Sequence, residues 1–146
     1  MDINTLYTVD AHEEGAEIRI VSPLDGKETD FYIIIQGVDS KAYRTAVRAY
    51  HRKLIAEEEG GEIDLIVAIT KSWRGLSKGK EEIPFSPEAA RDLYVNAPSV
   101  ANQIDTFVSD RKNFIKGWLM SYLSMPSGNF GRVAMIKAQK SVVLII

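Results

Sequence analysis

The 146-residue chain contains no cysteine. That excludes a disulfide framework, thiolate zinc sites and a thiol nucleophile, and it points to an intracellular protein. Histidine is almost as scarce, with only His12 and His51. His12-Glu13-Glu14 lacks the second histidine that a helical zinc site needs four residues on, and there is no cysteine to complete a tetrahedron. No apolar run approaches the ~20 residues of a membrane span. The opening "MDINTLYTVDAHEEG" has early acids and no apolar core run, so it reads as neither a signal nor a transit peptide.

Acids are missing from one end. All 20 Asp and Glu lie within residues 1–110, beside 12 Lys and Arg, whereas residues 111–146 hold 6 Lys and Arg and no acid. A basic segment on an acidic body suits contact with nucleic acid, with an acidic partner or with that body itself. The six cations are thinly spread, which argues against nucleic acid. What is abundant is the material of a core: 45% hydrophobic against 26% charged residues, in a chain the size of one ordinary domain.

The pattern along the chain predicts an α+β fold, predominantly helical, with an N-terminal β-hairpin followed by about four helices. In "AEIRIVS", Ile18 and Ile20 alternate with Glu17 and Arg19; "DFYIIIQ" repeats the alternation with Phe31, Ile33 and Ile35 and adds a second apolar row, Tyr32 and Ile34. Pro23 and Asp25-Gly26 supply turn chemistry between them. Asp39 or Ser40 then caps a helix through Glu59, ended by Gly60-Gly61, with Tyr43, Ala46, Val47, Tyr50 and Leu54 on its apolar face. Its other face carries Lys41, Arg44, Arg48 and Arg52, a stripe of like charges that does nothing for helix stability. It is either a solvated face neutralised by the protein's own acids or a surface for an anionic partner.

"EIDLIVAITKSWRGL", Glu62 to Leu76, is ambiguous, since Leu65 to Ile69 also suits a buried strand; its length and the row Ile63, Ile66, Val67, Thr70, Trp73 predict a buried helix. Ser86, Pro87 and Glu88 open a short helix to about Val95. Asn96-Ala97-Pro98 breaks it and starts another, in which Val100, Ile104, Phe107, Val108, Ile115, Trp118 and Leu119 keep helical period. Beyond Ser121 the composition becomes turn-rich and then apolar. The chain therefore divides into one domain, residues 1–120, and an extension, residues 121–146, of undefined structure.

Motifs of chemistry are weak. Gly79-Lys80 fails as a phosphate loop, because Arg74 stands where the leading glycine belongs and Glu81 where the magnesium-binding hydroxyl belongs. Ser77–Lys80 and Ser109–Lys112 match Ser-x-x-Lys spacing without the companion motifs of acyl transfer. Glu57–Glu59 and Glu81-Glu82 have no apolar surround to raise a pKa. His51 falls on the polar side of a basic helix. No catalytic, metal-binding or cofactor-binding residue emerges.

The order and spacing of "GVDSKAYR" (37–44), "SWRGL" (72–76), "EIPFSPEAARDLY" (82–94), the step at Pro98 and "VSDRKNF" (108–114) resemble the tail assembly chaperones of long-tailed, siphovirus-type bacteriophages. The resemblance covers residues 16–116, and "GWLMSYLSMPSGNFGRVAMIKAQKSVVLII" does not match the family pattern. It implies a non-enzymatic protein of the bacterial host cytoplasm that binds the tape measure protein, a long helical polypeptide, and keeps it soluble until the tail tube forms around it. Self-association, the tail tube protein as a second partner and a longer frameshifted form belong to the same expectation. The competing reading is a structural tail component, a connector or tube-end protein retained in the virion; a small enzyme or a nucleic-acid-binding regulator ranks behind both. Arg44, Arg48 and Arg52 are the candidates to face an acidic partner. Trp73 and Phe85 read first as core residues joining the second and third helices, and second as aromatic anchors for a partner.

Overall fold

A computed structural model of the chain describes residues 1–115. Strand β1 (Ala16–Val21) pairs antiparallel with β2 (Glu28–Ile35), with Ile18 opposite Ile33 and Ala16 opposite Ile35. The turn is built as its residues suggest: the Asp25 carboxylate accepts from the Lys27 N–H at 3.0 Å, and Gly26 takes a φ of 72°. Alternation puts Ile18, Ile20, Phe31, Ile33 and Ile35 into the core. The opposite face is only half covered, where the Arg19 and Arg74 guanidinium groups lie 5.3 and 3.9 Å from the Tyr32 ring.

The hairpin is not the first element. A 3-10 turn (Ile3–Leu6) and helix α1 (Val9–Glu14) precede it. Six residues are too few to show a helical period or to hold a helix alone. Tertiary contacts hold α1 instead, chiefly through the fully buried His12.

Helix α2 (Lys41–Ile55) begins where expected, with Ser40 Oγ accepting from the Tyr43 N–H at 3.1 Å. It ends short of Glu59, because Glu57 turns to a φ of 58° among three adjacent glutamates. Gly60 and Gly61 open the next helix rather than close this one. No residue of α2 is fully buried, and Leu54 of the expected apolar face is 53% exposed.

The expected helix over Glu62–Leu76 is half helix and half strand. Helix α3 (Gly61–Ile69) gives way at Thr70 to β3 (Thr70–Arg74), which pairs antiparallel with the free edge of β2, Trp73 opposite Ile33. The sheet order is β1-β2-β3. Both edges of β2 are thereby hydrogen-bonded, a gain that local helical period cannot register. Trp73 accordingly sits on a strand. The Gly-Lys bridge is a connector, folded as a small hairpin of β4 (Ser77–Lys78) and β5 (Glu81–Glu82) around Gly79.

Helix α4 (Pro87–Asn96) has the expected start, with Ser86 Oγ accepting from the Ala89 N–H at 3.0 Å. Helix α5 (Pro98–Val108) buries Val100, Ile104, Phe107 and Val108. It stops there rather than running on toward Leu119. Asp110 Oδ1 accepts from the Lys112 N–H and opens a 3-10 turn, Arg111–Phe114, which folds the Phe114 ring back to 5.5 Å from Phe107. Residues 116–119 of the expected helix and the division at residue 120 lie outside the described residues. The class is α+β, with the helices flanking a small antiparallel sheet.

Gly75, between β3 and β4, has a φ of 87°, and a Cβ there would stand 1.9 Å from the Asp30 carbonyl oxygen. Gly26 has positive φ but open space around it. Gly75→Ala should therefore lower the unfolding free energy by about 3 kcal/mol or more, against about 1 kcal/mol for Gly26→Ala, as read from urea titrations; equal losses would mean that the close approach to Asp30 is unimportant.

Candidate functional site

Two carboxylates tie the helices together. Asp39, in the loop between β2 and α2, is left free by Ser40's role as the cap. It accepts from Thr8 Oγ1 and, through both oxygens, from Arg111 Nε and Nη2 at 3.0 Å each. The Arg111 bond, ahead of the smaller contributions, pulls the Asp39 pKa down to about 2. Its own N–H donates to His12 Nδ1 at 3.0 Å. The proton of the neutral ring therefore sits on Nε2, which is buried without a hydrogen-bond partner, 3.7 Å from Asp39 Oδ2. The imidazole packs on Phe114 at 4.7 Å between centroids, and the Gly37 backbone passes so close that a Cβ there would stand 2.1 Å from Nδ1. Burial lowers the His12 pKa.

Asp64 of α3 plays the same part on the other side, bridging Lys53 of α2 and Arg91 of α4, and these bonds hold its pKa below the usual carboxylate value. Neither cluster is built for proton transfer. His12 has no exposure to solvent, and Asp39 is occupied by donors and far from neutral pH in its titration. Among the described residues no group of three or more His, Cys, Asp or Glu is arranged to hold a metal ion.

The residues singled out in the sequence fall in two places. Trp73 and Phe85 meet edge to face at 5.2 Å, Trp73 also meets Phe31 at 5.8 Å, and its indole N–H donates to the Ile83 carbonyl at 2.9 Å. Trp73 is 9% exposed and Phe85 half-buried, so both pack the core, around a strand rather than between two helices. Arg44, Arg48 and Arg52 are exposed along α2, and none makes an ion pair or side-chain hydrogen bond among the described residues. The protein's own acids within residues 1–115 therefore leave the stripe unneutralised by contact. His51 is exposed, as its position on α2 suggests. His12, Asp39 and Arg111 had no sequence signal as a group, because they lie up to 99 residues apart in the chain.

Two open grooves flank α3. One, of about 680 Å³, runs between α2 and α3 over a floor of Ala42, Ala46, Ala49, Gly61 and Ala68, with Glu13, Lys41, Lys53 and Asp64 at its rim. The other, of about 610 Å³, lies where α3 meets α4 and α5, lined by Ile63, Leu65, Ile66, Val95, Pro98 and Ala101 among others. Gly61 allows this packing, since a Cβ on it would stand 2.7 Å from the Tyr50 ring, which borders both grooves. Comparison with protein-family models, curated proteins and solved structures matches the chain to none of them. Among the described residues no helix is long and apolar enough to cross a membrane.

The His12–Asp39–Arg111 cluster makes stability depend on pH in two windows. A His12 pKa below its ordinary 6.5 means that the unfolded chain takes up the proton first, so this contribution is complete above pH 6.5 and is lost as pH falls below it. The Asp39 contribution is complete above its ordinary 3.8 and is lost as pH falls toward about 2. Melting temperature should fall in two stages on acidification, and His12→Gln should remove the first stage alone; an unchanged first stage in that variant would assign it elsewhere.

Proposed function

We propose that this protein is a non-enzymatic chaperone of phage tail assembly that binds the tape measure protein and keeps it soluble in the host cytoplasm. The observation that carries the reading is the groove between α2 and α3. Its floor of four alanines and a glycine lets the backbone of an incoming helix approach closely, and the stems of Lys41 and of Lys53, whose ammonium is paired with Asp64, extend the apolar surface. Of the four charges at the rim, Lys53 and Asp64 are paired with each other, so the side chains of Lys41 and Glu13 are the ones left to meet polar flanks of an incoming helix. Along the same helix α2, Arg44, Arg48 and Arg52 are exposed and without an ion pair among the described residues, a surface for an acidic stretch of the partner or for the acidic body of a neighbouring copy. The order of the sequence pieces supports the choice of partner, and the groove supports a helix as what it binds.

The experiment is co-expression with the longest helix-rich protein encoded downstream in the same genome, scoring that partner's solubility and its capture as a complex. Two variants locate the contact. Ala42→Glu puts a charge on the groove floor but in the first turn of α2, where the helix dipole accommodates an acid, and the triple reversal of Arg44, Arg48 and Arg52 to Glu inverts the stripe. Each should weaken the complex about tenfold or more with the circular dichroism spectrum unchanged. A partner equally soluble alone, or recovery of this chain as a component of finished virions, would overturn the chaperone reading.

A further inference from the structure

The groove where α3 meets α4 and α5 differs from its neighbour in one respect that bears on its occupant. Every charged residue lining it is an acid: Glu62, in the first turn of α3, and Asp105, on α5. Asn102 is its one amide, the rest of its lining is aliphatic or tyrosine, and Val95 is 57% exposed there, a large side chain left in water at the edge of a hollow. An occupant that satisfies this surface carries apolar side chains and cations and no acids.

The chain contains such a segment. Residues 116–146 hold Lys116, Arg132, Lys137 and Lys140 and no acid, with apolar residues at Met135 and Ile136 and from Val142 to Ile146. The groove between α2 and α3 is a poorer match, because its rim mixes Lys41 and Lys53 with Glu13 and Asp64. Geometry permits the closer fit. The turn Arg111–Phe114 packs against Phe107 near the end of α5, so Ile115 lies near the C-terminal end of the helix that forms one wall. Helix α5 is roughly 16 Å long, and ten residues of extended chain span roughly 33 Å. We infer that residues 116–146 of this chain cover the groove formed by α3, α4 and α5, with their cations against Glu62 and Asp105. The assignment does not depend on the chaperone reading, since it concerns a different groove and needs no partner.

The absence of cysteine makes the test direct. Asn102→Cys and Val95→Cys, two exposed positions lining the groove, and Leu24→Cys, 94% exposed at the hairpin turn, each take a benzophenone maleimide at a single site in the full chain. Photolysis of a dilute mixture of isotopically light and heavy protein, followed by peptide mass analysis, shows which residues lie at the groove and whether they belong to the same chain. The expected result is same-chain cross-links from positions 102 and 95 to residues 116–146 and none from position 24. At low salt the yield should fall about three- to fivefold when Glu62→Gln and Asp105→Asn are added, the effect of losing two exposed ion pairs. Two groove positions guard against one variant failing to fold. Cross-links confined to residues 1–115, heavy-to-light cross-links showing that a second copy fills the groove, equal capture from position 24, or a yield indifferent to the two neutralising changes would each overturn the inference.

Discussion

Strand β2 has hydrogen-bonding groups along both edges and apolar side chains on both faces, and the rest of the structure follows from covering them. The hairpin covers one edge. The other is covered only when Thr70–Arg74 abandon the helix that precedes them and pair with Tyr32–Ile35, leaving Ile33 and Ile35 without solvent exposure. An unpaired buried N–H or C=O costs more than the few tenths of a kcal/mol per residue by which helical propensities differ among residues such as Thr70, Ser72 and Trp73. The switch at Thr70 is held locally as well. Its hydroxyl donates to the Ile66 carbonyl at 2.7 Å and lies 2.8 Å from the Tyr94 hydroxyl, whose pKa burial raises to about 12. Thus the end of α3, the start of β3 and the last turn of α4 meet at one buried point.

Four of the stretches on which the proposed tail-assembly reading rests are joined in pairs by this fold. "GVDSKAYR" and "VSDRKNF" meet at the Asp39–Arg111 bond, 72 residues apart in sequence. "SWRGL" and "EIPFSPEAARDLY" meet where Trp73 packs on Phe85 and donates to Ile83, and again where the Ile83 N–H donates to Leu76 at 2.8 Å. Their physical role within residues 1–115 is therefore to hold the framework. The surfaces left to meet another molecule are elsewhere, on α2, whose three arginines are unpaired among the described residues, and in the groove between α2 and α3. A frame held by buried contacts can keep such surfaces half-covered, as α2 is, at little expense to the remainder.

Much of the fold was legible because it depends on neighbours in sequence. The alternation of Ile18 and Ile20, the turn at Asp25-Gly26, the cap Ser86 and the proline starts at Pro87 and Pro98 are all decided within a few residues, and each stands where the sequence placed it, while of the two caps open to α2, Asp39 and Ser40, the structure uses Ser40. Helix α1 was not legible, being too short for a period, and neither was the stop at Val108, where Phe114 gains more by folding back onto Phe107 and His12 than by extending the helix. Of the candidate site, the arginine stripe could be read from spacing alone. The core placement of Trp73 and Phe85 could be read as well, though not the strand that carries one of them.

The amino-acid sequence alone determined where turns, caps and amphipathic faces lie and how charge divides along the chain, because these rest on dihedral preferences and on spacing that each segment carries with it. Only the tertiary structure decided that half of a helix-like segment becomes the third strand, that His12 is a buried neutral ring clamped through Asp39 to Arg111, and that two hollows of different charge flank α3. Those outcomes depend on hydrogen-bond pairing, desolvation and close approach between residues distant in the chain, which no local pattern contains.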